Sequence, residues 1–287
     1  MGVPLLYRVY QAPLTSCVCM LLAAVHFLVS SSGGGGANTS SSSSSASSSA
    51  FMTLPDLGLN LHRVLAHKQY YRLLTSSLVH ASLAHLVMNI CALWSLGSSL
   101  EITLGPVKYA TLLVQFSVLP SILLLVVLAT QQAGQRALAL RRSGTTDLLP
   151  LFHSVTAATE ERDTSMTVGF SGALFAMAVQ LVHAGDISLL PSHGREIPIL
   201  SDPRTHPWVL LFASKALVPT SSFAGHLCGM AVGYASVGGA IAWLDVYWTM
   251  TLFLWLVGAC AMQWGRTTGR VIVVTESPST DAMEQPP

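Results

Sequence analysis

Apolar residues fall into seven runs along this chain, separated by polar stretches or stretches rich in glycine, serine or proline. A bilayer core about 30 Å thick takes about 20 mostly apolar residues to cross as a helix. On that measure the runs predict helices over 11–30, 80–100, 105–130, 168–184, 206–220 and 222–243, and an extra one over 246–264. The 206–220 run is short and carries Lys215, while Trp248 and Trp264 border the last run in the manner of an aromatic belt. Residues 1–30 form the first membrane segment, expected to be a retained anchor rather than a cleaved signal, and 31–50 a flexible Gly/Ser-rich linker. That linker holds the sequon Asn38-Thr39-Ser40, too close to the first helix to expect modification. Residues 51–245 form the main unit, and 265–287 read as a disordered tail. Within the main unit, 51–79 reads as an ordered loop at the membrane surface with the cluster His62, Arg63, His67, Lys68 and Arg72. Residues 131–165 and 185–205 read as polar loops.

Composition agrees with the pattern. The 287 residues are 51% hydrophobic and 9% charged, against about 25% charged in soluble domains. The chain is therefore expected to be an all-α polytopic membrane protein with the lipid bilayer as its partner. A net charge of +1 with no basic patch points to no nucleic-acid partner. Seven Lys/Arg in the loops 31–79 and 131–167 would violate the positive-inside rule if the N-terminus were cytosolic, so charge does not fix the orientation. Cys17, Cys19, Cys91, Cys228 and Cys260 lie in apolar runs without a CxxC pair and read as buried small hydrophobes. HExxH is absent, and no metal or cofactor is expected.

Three polar constellations interrupt the apolar runs. The second helix opens HASLAHLVMN, the fourth GFSGALFA, and the sixth carries GHLCGMAVG. Gly225, Gly229 and Gly233 recur every fourth residue, a stripe that lets two helix backbones approach closely. His226 shares that face and would point at the neighbouring helix, which we take to be the one bearing Ser171. An imidazole within hydrogen-bond reach can take the serine proton and make the oxygen a nucleophile. Phe175, one turn after Ser171, can pack against the ring, and Gly169 and Gly172 leave room for a substrate backbone. His85 and Asn89 lie four apart on one face and can donate to an oxyanion together with the Ser171 N–H. His80 falls off that face and suits a structural or water-coordinating role. Each motif alone has a plainer reading, since GxSG and glycine stripes are packing devices in membrane helices. Their conjunction in this order points to acyl-transfer chemistry.

With those motifs, and with RLLTSSLVHASLAHLVMN and TSSFAGHLCGMAVG, the chain resembles the rhomboid intramembrane serine proteases over roughly 70–245. The likeness is greatest to the eukaryotic rhomboid-related branch of the endoplasmic reticulum. The resemblance implies a six-helix core, Ser171 as nucleophile and His226 as base. It puts His85 and Asn89 at the oxyanion, and Gly169, Gly229 and Gly233 at motif and packing positions. Glu101 matches a family acidic residue that helps fix the loop between the first two helices. Phe175 replaces the tyrosine of many bacterial members, and Tyr71-Arg72 is the nearest match to a tryptophan-arginine pair of the first loop. The implied activity is a serine endopeptidase that cleaves single-pass membrane proteins in or near their transmembrane segments. It would act in the endoplasmic reticulum or another secretory-pathway membrane. A polar depression on the non-cytosolic side would bring water to Ser171, with residues 219–222 as a candidate gate. Two rivals stand beside this: a catalytically silent rhomboid- or derlin-like protein that binds membrane clients, and a small transporter. The transporter predicts internal repeat symmetry, which the sequence lacks. Substrate identity and oligomeric state stay open.

Overall fold

Prolines set where two of the long helices start. Pro13 and Pro106 each occupy a first helical position, where the missing N–H leaves no bond unmade and φ is already helical. The computed structural model describes residues 5–33, 53–143, 166–184, 202–219 and 221–274. In chain order the helices are α1 (Leu5–Gln11), α2 (Pro13–Gly33), α3 (Leu54–Leu57), α4 (Leu61–Leu65), α5 (Arg72–Leu78), α6 (Leu83–Leu104) and α7 (Pro106–Ser143). They continue with α8 (Ser171–Ala184), α9 (His206–Leu217), α10 (Phe223–Val237) and α11 (Val246–Val274). Among the described residues there is no strand, only one antiparallel bridge between Leu59 and Thr167. The all-α, polytopic architecture expected from the apolar runs is the one observed.

Helix ends depart from the expectation for local reasons. α7 runs to Ser143, past the predicted stop at 130, because QQAGQRALALRRS is polar yet rich in helix formers. α8 begins only at Ser171, since Gly169 sits at φ +115°, outside helical geometry. α10 stops at Val237, where Gly238 and Gly239 (φ +77°) turn the chain. α11 continues to Val274, so the disordered tail expected from 265 does not begin there. The sequon, the linker residues 34–50, the loop residues 144–165 and 185–201, residues 275–287 and the Trp264 side chain lie outside the described residues.

Among the described residues four helices, α2, α6, α7 and α11, are long and apolar enough to cross a membrane. The 14-residue α8 and 15-residue α10 are apolar but shorter, about 21 and 22 Å at 1.5 Å per residue. They are enclosed by their neighbours. Leu22, Leu93, Leu100, Tyr109, Phe116 and Met177 join α2, α6, α7 and α8 in the main core. Phe175, Leu211 and Met230 join α8, α9 and α10 in a smaller one. α11 is pinned to the bundle by Gln115, whose Nε2 donates to the Leu244 carbonyl (2.6 Å) and the Thr249 hydroxyl (2.9 Å).

Three expectations are corrected here. Arg72 is 1% exposed rather than part of a surface cation cluster. Its guanidinium donates to the carbonyls of Pro55 (2.8 Å) and Gly58 (2.6 Å) and to the Gln69 side chain (2.7 Å), knitting 53–79 together. Among the described residues Glu101 bonds the start of α2, not the loop between α2 and α6. Its carboxylate accepts from the backbone N–H groups of Leu14 (2.9 Å) and Thr15 (2.8 Å) and the Thr15 hydroxyl (2.8 Å). Those are unpaired donors at the start of α2, where a negative group is favoured. Finally, Cys17 and Cys91 are exposed on helix faces, and only Cys228 is fully buried, although all five are free thiols as expected.

Candidate active site

The close approach of α8 and α10 follows from missing side chains. A Cβ at Gly229 would fall on the Gly172 carbonyl oxygen, and one at Gly233 would come within 2.8 Å of the Ala176 carbonyl oxygen. Neither carbonyl can yield without breaking its helix. With the backbones in contact, His226 on α10 reaches Ser171, the first residue of α8. The Nε2 to Oγ distance is 2.9 Å. The Phe175 ring lies over the imidazole, centroids 4.6 Å apart at 31°. His226 is 4% exposed.

The opposite side of the serine is built from α6 and the loop before α8. Gly169 donates its N–H to the Ser76 carbonyl (2.9 Å), which ties that loop to α5. The His85 ring packs against Gly169, and a Cβ there would come within 2.6 Å of Cε1. Only glycine meets both the φ of +115° and this contact. Because Ser171 opens α8, its N–H belongs to the set of helix-start donors with no acceptor in their own helix. Asn89 is 4% exposed and donates Nδ2 to the His85 carbonyl at 2.7 Å, so in this state its amide bonds within its own helix. His80 is buried, its ring edge-on to His85 at 5.2 Å, and Nε2 faces the Phe170 N–H at 3.5 Å.

Two cavities meet at Ser171, His85 and His226. One, of about 230 Å³, is lined by Ser76, Ser121, Ser221 and Ser222 together with residues 166–169 and apolar side chains such as Leu59 and Leu124. At about 30 Å³ per water it has room for several. The other, of about 240 Å³, lies between α6, α8 and α9 and is lined mainly by carbon, including Leu96, Leu174, Leu210 and Leu217. A partly polar chamber and an apolar one thus share a serine and a histidine. The structure brings Ser171, His226, Phe175, Gly169, His85, Gly229 and Gly233 to one place and puts Asn89 at its apolar edge. It leaves Glu101 elsewhere, at the start of α2. Sequence reasoning missed Ser214, whose Oγ lies 3.3 Å from His226 Nδ1. The only signal was a hydroxyl inside the apolar WVLLFASKAL.

Comparison with known proteins sets this geometry in a family. The rhomboid domain model matches residues 67–248. The chain is 31% identical over 188 residues to Rhomboid-related protein 4 of Homo sapiens, covering 64% of this chain and 50% of that one. It is 28% identical over 173 residues to Rhomboid-like protein 15 of Arabidopsis thaliana, covering 60% and 37%. To Rhomboid-like protein 14, mitochondrial, of the same plant it is 28% identical over 194 residues, covering 67% and 50%. The matched part thus spans half or less of each of these relatives' own length. With a family domain laid across α5 to α10, around the paired Ser171 and His226, the chain belongs to the rhomboid family.

Proposed function

We propose that this chain is an intramembrane serine endopeptidase that cleaves single-pass membrane proteins in or near their transmembrane segments. The observation that carries the reading is the 2.9 Å contact between Ser171 Oγ and His226 Nε2 under the Phe175 ring. His226 Nε2 takes the serine proton as Oγ bonds the scissile carbonyl carbon. The resulting oxyanion accepts from the Ser171 N–H and His85, and from Asn89 once its amide turns from the His85 carbonyl. The peptide C–N bond then breaks, the leaving amine taking the proton from Nε2. A water from the polar cavity gives its proton to Nε2 and its oxygen to the acyl carbon, and the serine regains a proton as the acid leaves. A helical peptide bond is shielded by its own helix, so the substrate segment unwinds locally, and helix-breaking residues favour cleavage. Residues 51–245 form the catalytic core on this reading. The membrane is that of the endoplasmic reticulum or another secretory-pathway compartment, which fluorescence microscopy of the tagged chain against organelle markers tests.

The function is tested by labelling the purified protein with a fluorophosphonate or isocoumarin probe, and by co-expression with a panel of single-pass membrane proteins. Wild type is expected to be labelled at Ser171 and to cleave, whereas Ser171→Ala and His226→Ala lose both. A well-folded wild type that takes no label and cuts nothing favours the client-binding reading. Cleavage that survives both substitutions refutes the dyad.

A further inference from the structure

Among the described residues no carboxylate bonds His226, and Ser214 occupies the place where one would act. Ser214 is half-buried on α9, the helix that flanks the apolar cavity. Its Oγ lies 2.8 Å from the Leu211 carbonyl oxygen on its own helix and 3.3 Å from His226 Nδ1. A hydroxyl has one proton to donate, and a carbonyl can only accept. The Leu211 carbonyl therefore takes the Ser214 proton, and the remaining lone pairs of Oγ face Nδ1. A neutral imidazole carries its proton on one nitrogen only, and the hydrogen bond made by one nitrogen sets the state of the other. An acceptor at Nδ1 keeps the proton there and leaves Nε2 bare to receive the proton of Ser171.

We propose that Ser214 is a positioning residue: its hydroxyl, held by the Leu211 carbonyl, fixes the tautomer and orientation of His226 that make it a base for Ser171. Hydrogen bonds then run in one direction from Ser171 Oγ–H to Nε2, and from Nδ1–H through Ser214 to the α9 backbone. When His226 takes up the serine proton, the imidazolium keeps an acceptor at Nδ1 without a buried carboxylate. Phe175 limits tilting of the ring, but its carbon face cannot choose between the two tautomers. Ser214 does both, and it does so from a third helix.

This inference rests on Ser171 and His226 acting as nucleophile and base. The test is time-dependent labelling of Ser171 by a fluorophosphonate probe in detergent, with the inactivation rate constant and the probe concentration giving half-maximal rate read separately. Ser214→Val and Ser214→Thr are matched in shape and differ in the hydroxyl, which threonine in a helix also directs to a preceding carbonyl. Ser214→Val is expected to lower the rate constant by about 10- to 100-fold, the range that a hydrogen bond to a charged group spans. The half-maximal concentration should not move, and Ser214→Thr should recover most of the lost rate. Thermal unfolding of each variant checks folding, and Ser214→Ala replaces valine if that side chain does not fit. Equal rates for Val, Thr and wild type overturn the inference, as do equally slow Val and Thr in folded protein. Absence of label on wild type itself is a different failure and strikes the protease reading.

Discussion

Glu101 is 2% exposed, and the donors it satisfies belong to another helix, 86 and 87 positions away. A hydrogen bond to a charged group contributes about 1.5–3 kcal/mol, and donors left unpaired in a buried site add to the loss. Glu101→Ala is therefore expected to destabilise the protein by about 3 kcal/mol or more. The check is thermal or denaturant unfolding in detergent, with Glu101→Gln losing less because its amide oxygen still accepts. The probe-labelling rate of the folded fraction should stay unchanged, because Glu101 caps α2 and touches neither Ser171 nor His226. Arg72 works in the same way on a smaller stretch, holding two carbonyls of 53–79 from within. Both side chains show what a sequence hides. Ser171, His226, His85 and Asn89 were legible because each stands in a local motif inside an apolar run. The partners of Glu101, Arg72 and Ser214 were not, because those contacts depend on how one helix is rotated against another.

Between α8 and α10 the interface is set by absence of bulk, so its sensitivity is to additions. An alanine at Gly229 would drive its methyl into the Gly172 carbonyl, and overpacking of this kind costs about 1–3 kcal/mol. The larger effect falls on geometry, since a shift of about 1 Å between reacting groups can cost 10²-fold in rate. Gly229→Ala should therefore lose most probe labelling of Ser171 while the protein still unfolds cooperatively, as labelling and melting measured side by side would show. The glycine stripe was readable because its period of four is written in consecutive residues. Helix limits were less so: α7 and α11 run on through polar residues that suit a helix, although the apolar signal had ended. The loop after α9, expected as a gate at 219–222, meets a clasp: the Lys215 ammonium donates to the carbonyls of Pro219 and Ser221 (3.0 Å). Its position at a helix C-terminus also suits a cation.

At the scale of the molecule, the domain match ends at residue 248, just inside α11, so most of that helix lies beyond it. Gln115 bonds Leu244 within the match and Thr249 just beyond it, and so spans the boundary. Gln115→Met keeps the volume and removes both bonds, at an expected loss of about 1–2 kcal/mol in unfolding stability. Labelling of Ser171 should persist at the wild-type rate, since Gln115 lines neither cavity at the serine. The modest length of α8 has a further consequence. At about 21 Å it falls roughly 9 Å short of a 30 Å hydrocarbon layer. A helix of that length whose far end lay level with one face of the membrane would hold Ser171 that far beneath the other. On the proposed protease reading, a client chain drawn out straight from the surface would present to the serine a bond only about three residues deep, so scissile positions mapped by mass spectrometry should cluster near one end of the client's membrane segment, not at its midpoint.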